Sequence, residues 1–135
     1  MKEAFDQEQG GARRFFGKYR GTVLNNVDPL KRGRLLVSVP TVLGGGVTSW
    51  AEPTMPMGGM VGLPSGMWLT PPVGAGAWVE FAEGDSNYPI WSGCWFGSES
   101  DTPLDATAKP PGQEPIVLQT ETFKLMIGRE RVEIG

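Results

Sequence analysis

The feature that most constrains this chain is the alternation of residue types across positions 73–97. Ala77, Val79 and Phe81 alternate with Trp78 and Glu80, the two-residue period of a half-buried strand. Glu83-Gly84-Asp85-Ser86-Asn87 is built for a turn. Beyond it Ile90, Ser92, Cys94 and Phe96 alternate with Trp91, Gly93 and Trp95, so the stretch reads as a β-hairpin. Three of the five tryptophans lie in its two arms, and a lone hairpin cannot bury that much apolar surface. Gly74, Gly76 and Gly93 permit bends or close backbone approach, as a sheet curling toward closure requires. These residues predict a small closed or nearly closed barrel.

The rest of the composition agrees. Twenty glycines and twelve prolines in 135 residues, with no long helical period, favour short strands joined by tight turns. The predicted class is all-β, one domain with a short appendage. A net charge of −3 exerts no global pull toward nucleic acid or anionic lipid. The single cysteine rules out an internal disulfide framework, and with no histidine to activate it Cys94 is read as a small core residue. No run is long and apolar enough to span a membrane. Residues 1–14 lack the apolar middle of a signal peptide, so the expectation is assembly in a bacterial cytoplasm behind a flexible leader.

Along the chain, a first strand spans Lys18 to Asn25, with Tyr19, Gly21 and Val23 on one face. The loop through Asp28-Pro29 and Lys31-Arg32-Gly33-Arg34 returns it to a second, antiparallel strand with Leu35, Val37 and Val39 inward. Gly44-Gly45-Gly46 lacks the lysine and hydroxyl of a phosphate-binding loop. Thr48–Pro53 forms a short third strand anchored by Trp50. The predicted barrel core is Val37, Val39, Trp50, Val79, Phe81, Ile90 and Cys94.

Residues 54–72 make a long loop carrying Met55, Met57, Met60, Met67 and Trp68. Unbranched thioethers mould to a partner, but the same residues can close a barrel over its own core, and without periodicity both readings stand. Residues 98–115, with Pro103, Pro110 and Pro111, read as a linker. In residues 116–135, Ile116-Val117-Leu118 is followed by Phe123, Leu125 and Ile127, then by Val132 and Ile134. These strands have a marked apolar face but are too few to form a core alone. Their cover must come from the barrel, another protein or copies of themselves, and symmetric self-association is the usual solution.

Little in the chain supports catalysis. Absence of histidine removes the usual general base and the commonest metal ligand, and one cysteine cannot make a zinc thiolate set; neither cofactor nor enzymatic activity is expected. Glu80, Glu83 and Asp85 sit in or beside a turn where water solvates them, a poor setting for paired acid and base work. The serious rival is a single-stranded nucleic-acid-binding OB module using Lys18, Arg20, Lys31, Arg32 and Arg34. The acidic net charge and apolar setting of the tryptophans argue against it. An accessory domain of a carbohydrate-active enzyme would need an exposed aromatic platform on the barrel.

Several blocks, in order, carry a resemblance: Phe16-Gly17-Lys18-Tyr19-Arg20-Gly21-Thr22-Val23, Asp28-Pro29-Leu30-Lys31-Arg32-Gly33-Arg34, Ser49-Trp50-Ala51-Glu52-Pro53, Pro72-Val73-Gly74-Ala75-Gly76-Ala77-Trp78-Val79-Glu80-Phe81 and Gly84-Asp85-Ser86-Asn87-Tyr88-Pro89-Ile90-Trp91-Ser92-Gly93. Across residues 15–97 the chain resembles the OB-fold domain of contractile-tail spike proteins. These are phage baseplate assembly protein V and the central spike, the type VI secretion spike, and the spikes of extracellular contractile injection systems. The resemblance implies a small OB-type barrel followed by a short C-terminal β-strand stub, residues 116–135, forming an intertwined trimeric β-helix or prism. Phe123, Leu125, Ile127, Val132 and Ile134 would then line the trimer seam. It further implies a structural homotrimer in a virion tail or injection-system baseplate, seated on a hub protein and transmitting force for envelope puncture. The methionine-rich loop is a candidate for meeting the hub or a neighbouring copy. Unlike some relatives, the chain has no lysozyme domain after Gly97, and it stops at Gly135 without a long needle, so a PAAR-type tip protein (proline-alanine-alanine-arginine repeat) is expected to cap it. The target envelope would be touched only during injection, and no nucleic-acid partner is expected.

Overall fold

The computed structural model describes residues 13–59 and 61–135. The expected leader, residues 1–14, lies outside them apart from Arg13 and Arg14. Two compact units divide the chain, the first running to Trp95 and the second spanning Phe96–Gly135. Among the described residues no helix is long and apolar enough to cross a membrane.

The first unit is built on β1 (Tyr19–Asn25), β2 (Leu36–Ser38), β3 (Glu52–Pro53), β4 (Gly76–Phe81) and β5 (Pro89–Trp95). Their order is β2-β1-β4-β5-β3, antiparallel except for the parallel β3–β5 pair. The two ends of this sheet are joined. Leu35 and Ala51 exchange backbone hydrogen bonds of 3.1 and 2.7 Å, and Ser38 bridges to Val47. Between those bridges the Thr48 hydroxyl accepts the Val37 N–H at 2.9 Å, and Thr48 N donates to the Val37 carbonyl. A hydroxyl thus replaces a ladder partner in the buried seam. The outcome is the strongly curled five-stranded arrangement of an OB-type barrel.

The core sits inside the curl. Val23, Leu35, Val37, Val39, Ala51, Ala77 and Val79 have no exposed surface, and Phe15, Phe81 and Trp91 are buried with them. The inward parity of β1, β2 and β4 follows the alternation in the sequence.

Three predicted core residues stand elsewhere. Trp50 is half-buried, because the bridge sets Ala51, not Trp50, opposite the inward Leu35. Its ring lies under the Arg34 guanidinium, 5.5 Å from the centroid. Ile90 pairs with the outward Glu80 and is half-buried, while its neighbour Trp91 pairs with the inward Val79 and is buried. Cys94 is exposed although it pairs with the inward Ala77. A bulge puts Ile90 out of phase with Cys94: Val79 pairs with Trp91 but Ala77 with Cys94, so β5 carries one residue more than β4 between those pairs. Gly93, at φ +107°, supplies the backbone conformation within that interval.

In the second unit, the stretch expected as a linker holds a 3-10 turn, Glu99–Asp101, and one helical turn, Leu104–Thr107. Ser98 and Asp101 cap the first of these reciprocally. Strands β6 (Ile116–Gln119), β7 (Lys124–Ile127) and β8 (Val132–Ile134) follow as an antiparallel meander.

Candidate assembly surface

The register of the meander decides what its two faces present. Ile116 pairs with Ile127 and Ile127 with Val132; Leu118 pairs with Leu125 and Leu125 with Ile134. Directly paired residues share a face, so these six apolar side chains form two rows of three. Phe123 extends the same parity one step beyond β7. The opposite face carries Val117, Gln119, Lys124, Met126 and Glu133, and Lys124 pairs there with Asp105 of the preceding helical turn. One face is therefore mixed, with Lys124 engaged by Asp105, and the other is wholly apolar.

That apolar face is uncovered. Ile116, Val132 and Ile134 are 64%, 60% and 75% exposed, and Leu118, Phe123 and Ile127 are exposed as well. Leu125, at the centre, is half-buried. The structure therefore brings Phe123, Leu125, Ile127, Val132 and Ile134 onto one surface, and adds Ile116 and Leu118. These two were legible as an apolar run, but their face follows only from hairpin pairing. A continuous apolar patch of this kind marks an interaction site.

The methionine-rich loop divides. Met55 is half-buried and packs against the barrel core, whereas Met57, Met67 and Trp68 are exposed; Met60 lies outside the described residues. The Met67 N–H donates to the Met57 carbonyl at 3.0 Å and pinches the loop. The Trp68 ring leans on Gly33, whose carbonyl accepts the buried Trp91 indole N–H at 2.9 Å.

Trp68 thus rests on a firmly held element, the β1–β2 loop. Asp28 there is almost buried and accepts the backbone N–H groups of Leu30, Arg32 and Arg34, together with a two-pronged contact from the Arg34 guanidinium at 2.9 and 2.7 Å. Arg34 first, then those backbone donors, hold the Asp28 carboxyl far below the usual carboxylate range, against the opposing effect of burial. Sequence reading saw only a turn at Asp-Pro. The signal available was a carboxylate six residues before an arginine across a glycine-containing loop.

The basic cluster considered for nucleic acid is split by this arrangement. Arg34 is taken by Asp28 and Arg32 pairs with Glu52, while Lys31 and Lys18 are exposed without an ion pair among the described residues. Asp85, one of the acids weighed for catalysis, accepts the Asn87 N–H at 3.0 Å and faces Arg14. Although Cys94 is exposed, desolvation by the surrounding protein pushes its thiol up, away from the reactive thiolate. Among the described residues no cluster of three or more His, Cys, Asp or Glu could hold a metal ion.

A search of curated proteins finds no match to the chain. Residues 19–96, more than half of the 135, match the model of a family described as the type VI secretion system/phage-baseplate injector OB domain. The match spans β1 to β5, the methionine-rich loop and the hairpin with its bulge. That family is a structural domain of baseplates and secretion spikes. The chain belongs to the type VI secretion system/phage-baseplate injector OB-domain family.

Proposed function

We propose that this chain is a non-enzymatic spike component at the centre of a contractile baseplate, of a phage tail or an injection system, joining hub to tip and passing the force of contraction to an envelope. Three copies associate through the apolar face of the meander, with Phe123, Leu125, Ile127, Val132 and Ile134 in the seam and Ile116 and Leu118 beside them. The observation that carries this reading is that face: seven apolar residues on one side of a three-stranded sheet, which a single sheet cannot bury. Threefold closure around an axis covers each copy with the same surface of the next. The exposed Met57, Met67 and Trp68 form a second, adaptable contact for the hub or a neighbouring copy, and a PAAR-type protein caps the far end. Light scattering of the purified chain tests the assembly. A trimer whose mass does not change with salt is expected; a monomer at all accessible concentrations overturns it.

A nucleic-acid-binding module needs several free cations along a groove. Here two of the five in the proposed cluster are neutralised by acids.

A further inference from the structure

The bulge in β5 also changes the outer wall of the barrel. Trp91 and Trp95 are four residues apart, and regular alternation would place both on one face. The extra residue separates them: Trp91 enters the core, and Trp95 pairs with the outward Gly76. Bulges re-aim side chains in this way. Gly76 makes the landing place, since a Cβ there would stand 2.5 Å from the Trp95 ring. Trp95 then meets Trp78 at a centroid separation of 6.5 Å, and its indole N–H is buried without an acceptor among the described residues.

Arg20 completes the group. It lies on β1 directly opposite Trp78, and its guanidinium carbon stands 5.5 Å from the Trp78 ring and 4.9 Å from the Trp95 ring. Arg20 is exposed and has no ion pair among the described residues, unlike Arg32 and Arg34. Two indoles hold its planar fork, which lowers the entropy lost when it binds an acid. Arginine and tryptophan are also among the residues enriched in energetic hot spots.

We propose that Arg20, Trp78 and Trp95 form a docking point for one carboxylate: an Asp or Glu side chain flanked by apolar residues on a partner protein. Arg20 pairs with the acid while the indoles cover its apolar neighbours. The kind of partner, another component of an injector, rests on the function proposed above; the chemistry of the site does not. A phosphate polymer suits this point less well, because it offers one cation on an acidic protein. A flat sugar platform is also absent, because the guanidinium lies over both rings.

The test is a titration of the full chain followed by NMR of the Trp78 and Trp95 indole N–H and the Arg20 side-chain N–H. The probes are acetyl-Leu-Glu-Phe-amide, its glutamine counterpart, and a ten-nucleotide oligothymidylate. The glutamate peptide is expected to shift all three signals saturably, and the glutamine peptide to bind about tenfold more weakly, the scale of a charge-assisted hydrogen bond. Arg20→Gln should abolish the preference for glutamate, Arg20→Lys should retain part of it, and Trp95→Leu should weaken both peptides, with unchanged far-UV circular dichroism showing that each variant folds. Equal affinity for the two peptides, no shift with the glutamate peptide, a preference that survives Arg20→Gln, or tighter binding of the oligonucleotide each overturns the proposal. Light scattering on the same samples keeps the two readings separate: a monomer that prefers the glutamate peptide would remove the trimer and leave the docking point standing.

Discussion

Replacing Ile127 with aspartate puts a carboxylate at the middle of the row Ile116, Ile127, Val132. Complete burial of an aliphatic side chain contributes about 1.5–3 kcal/mol. With each of the seven side chains already part-covered, the face offers roughly 5–10 kcal/mol per chain on assembly. Each association step costs about 4–15 kcal/mol in lost freedom, so the surplus holding three chains together is modest. Ile127→Asp removes roughly 1 kcal/mol of burial per copy. It also takes a carboxylate out of water without a cation, a penalty of several kcal/mol per ion, and brings three like charges toward one axis. The loss over a trimer is on the order of 10 kcal/mol, enough to leave the variant monomeric at micromolar concentration. Sedimentation equilibrium at several loading concentrations reads this directly, with far-UV circular dichroism as the check on folding. Gln119→Asp, an exposed position on the opposite face of β6, is the control and should sediment as the parent does. The reasoning fails if Ile127→Asp keeps the parent's mass, or if Gln119→Asp dissociates the protein equally.

Other positions give sharp outcomes. Gly76→Ala forces a Cβ to within 2.5 Å of the Trp95 ring; it should destabilise the chain by about 1–3 kcal/mol in urea denaturation and shift tryptophan emission as Trp95 is displaced. Trp91→Phe removes the buried donor to the Gly33 carbonyl and should lower stability by about 1–3 kcal/mol, read from the same urea curves. Asp28 titrates far below its unfolded value, so its contribution is fully present above the unfolded pKa of about 3.9 and is lost as pH falls below that through the folded value. Thermal melts across the acid range should therefore show the parent losing stability below about pH 4, on the unfolded carboxylate scale, with Asp28→Asn less stable at neutral pH and flatter over the acid limb.

How far the sequence could be read depended on what each residue's neighbours demanded. In β4 the alternation of Ala77, Val79 and Phe81 needed no further information, because small or apolar residues faced Trp78 and Glu80 at every step. In β5 the same rule misled. Ile90 and Trp91 are both apolar, so period alone could not choose between them, and an inserted residue at a bulge leaves no mark in composition. In the third strand the sequence points to Trp50 as the core anchor, but the bridge sets the small Ala51 opposite Leu35 and leaves Trp50 half-buried. In the C-terminal unit the parity of Phe123 to Ile134 was legible strand by strand, but joining Ile116 and Leu118 to it required the hairpin register. The Arg20 group was invisible for a related reason: its three members meet across β1, β4 and β5, and one of them faces outward only because of the bulge. The methionine-rich loop had no period to read, and its division into one packed and several exposed residues follows from where the chain leaves β3.

The barrel wall is unequal around its circumference. Through β1, β4 and β5 it is a long antiparallel ladder, while the join between β2 and β3 is two single bridges, and the β3–β5 pair is parallel and two residues long with a proline in it. A proline has no N–H to give, so that stretch is sparsely laced. A hub fastened to the ladder side would pull on a stiff spine, whereas one fastened over residues 47–53 would pull on the yield point. In the spike role proposed above, the place where a neighbour grips this domain would determine whether a sudden thrust is carried intact or spent prying the cylinder open.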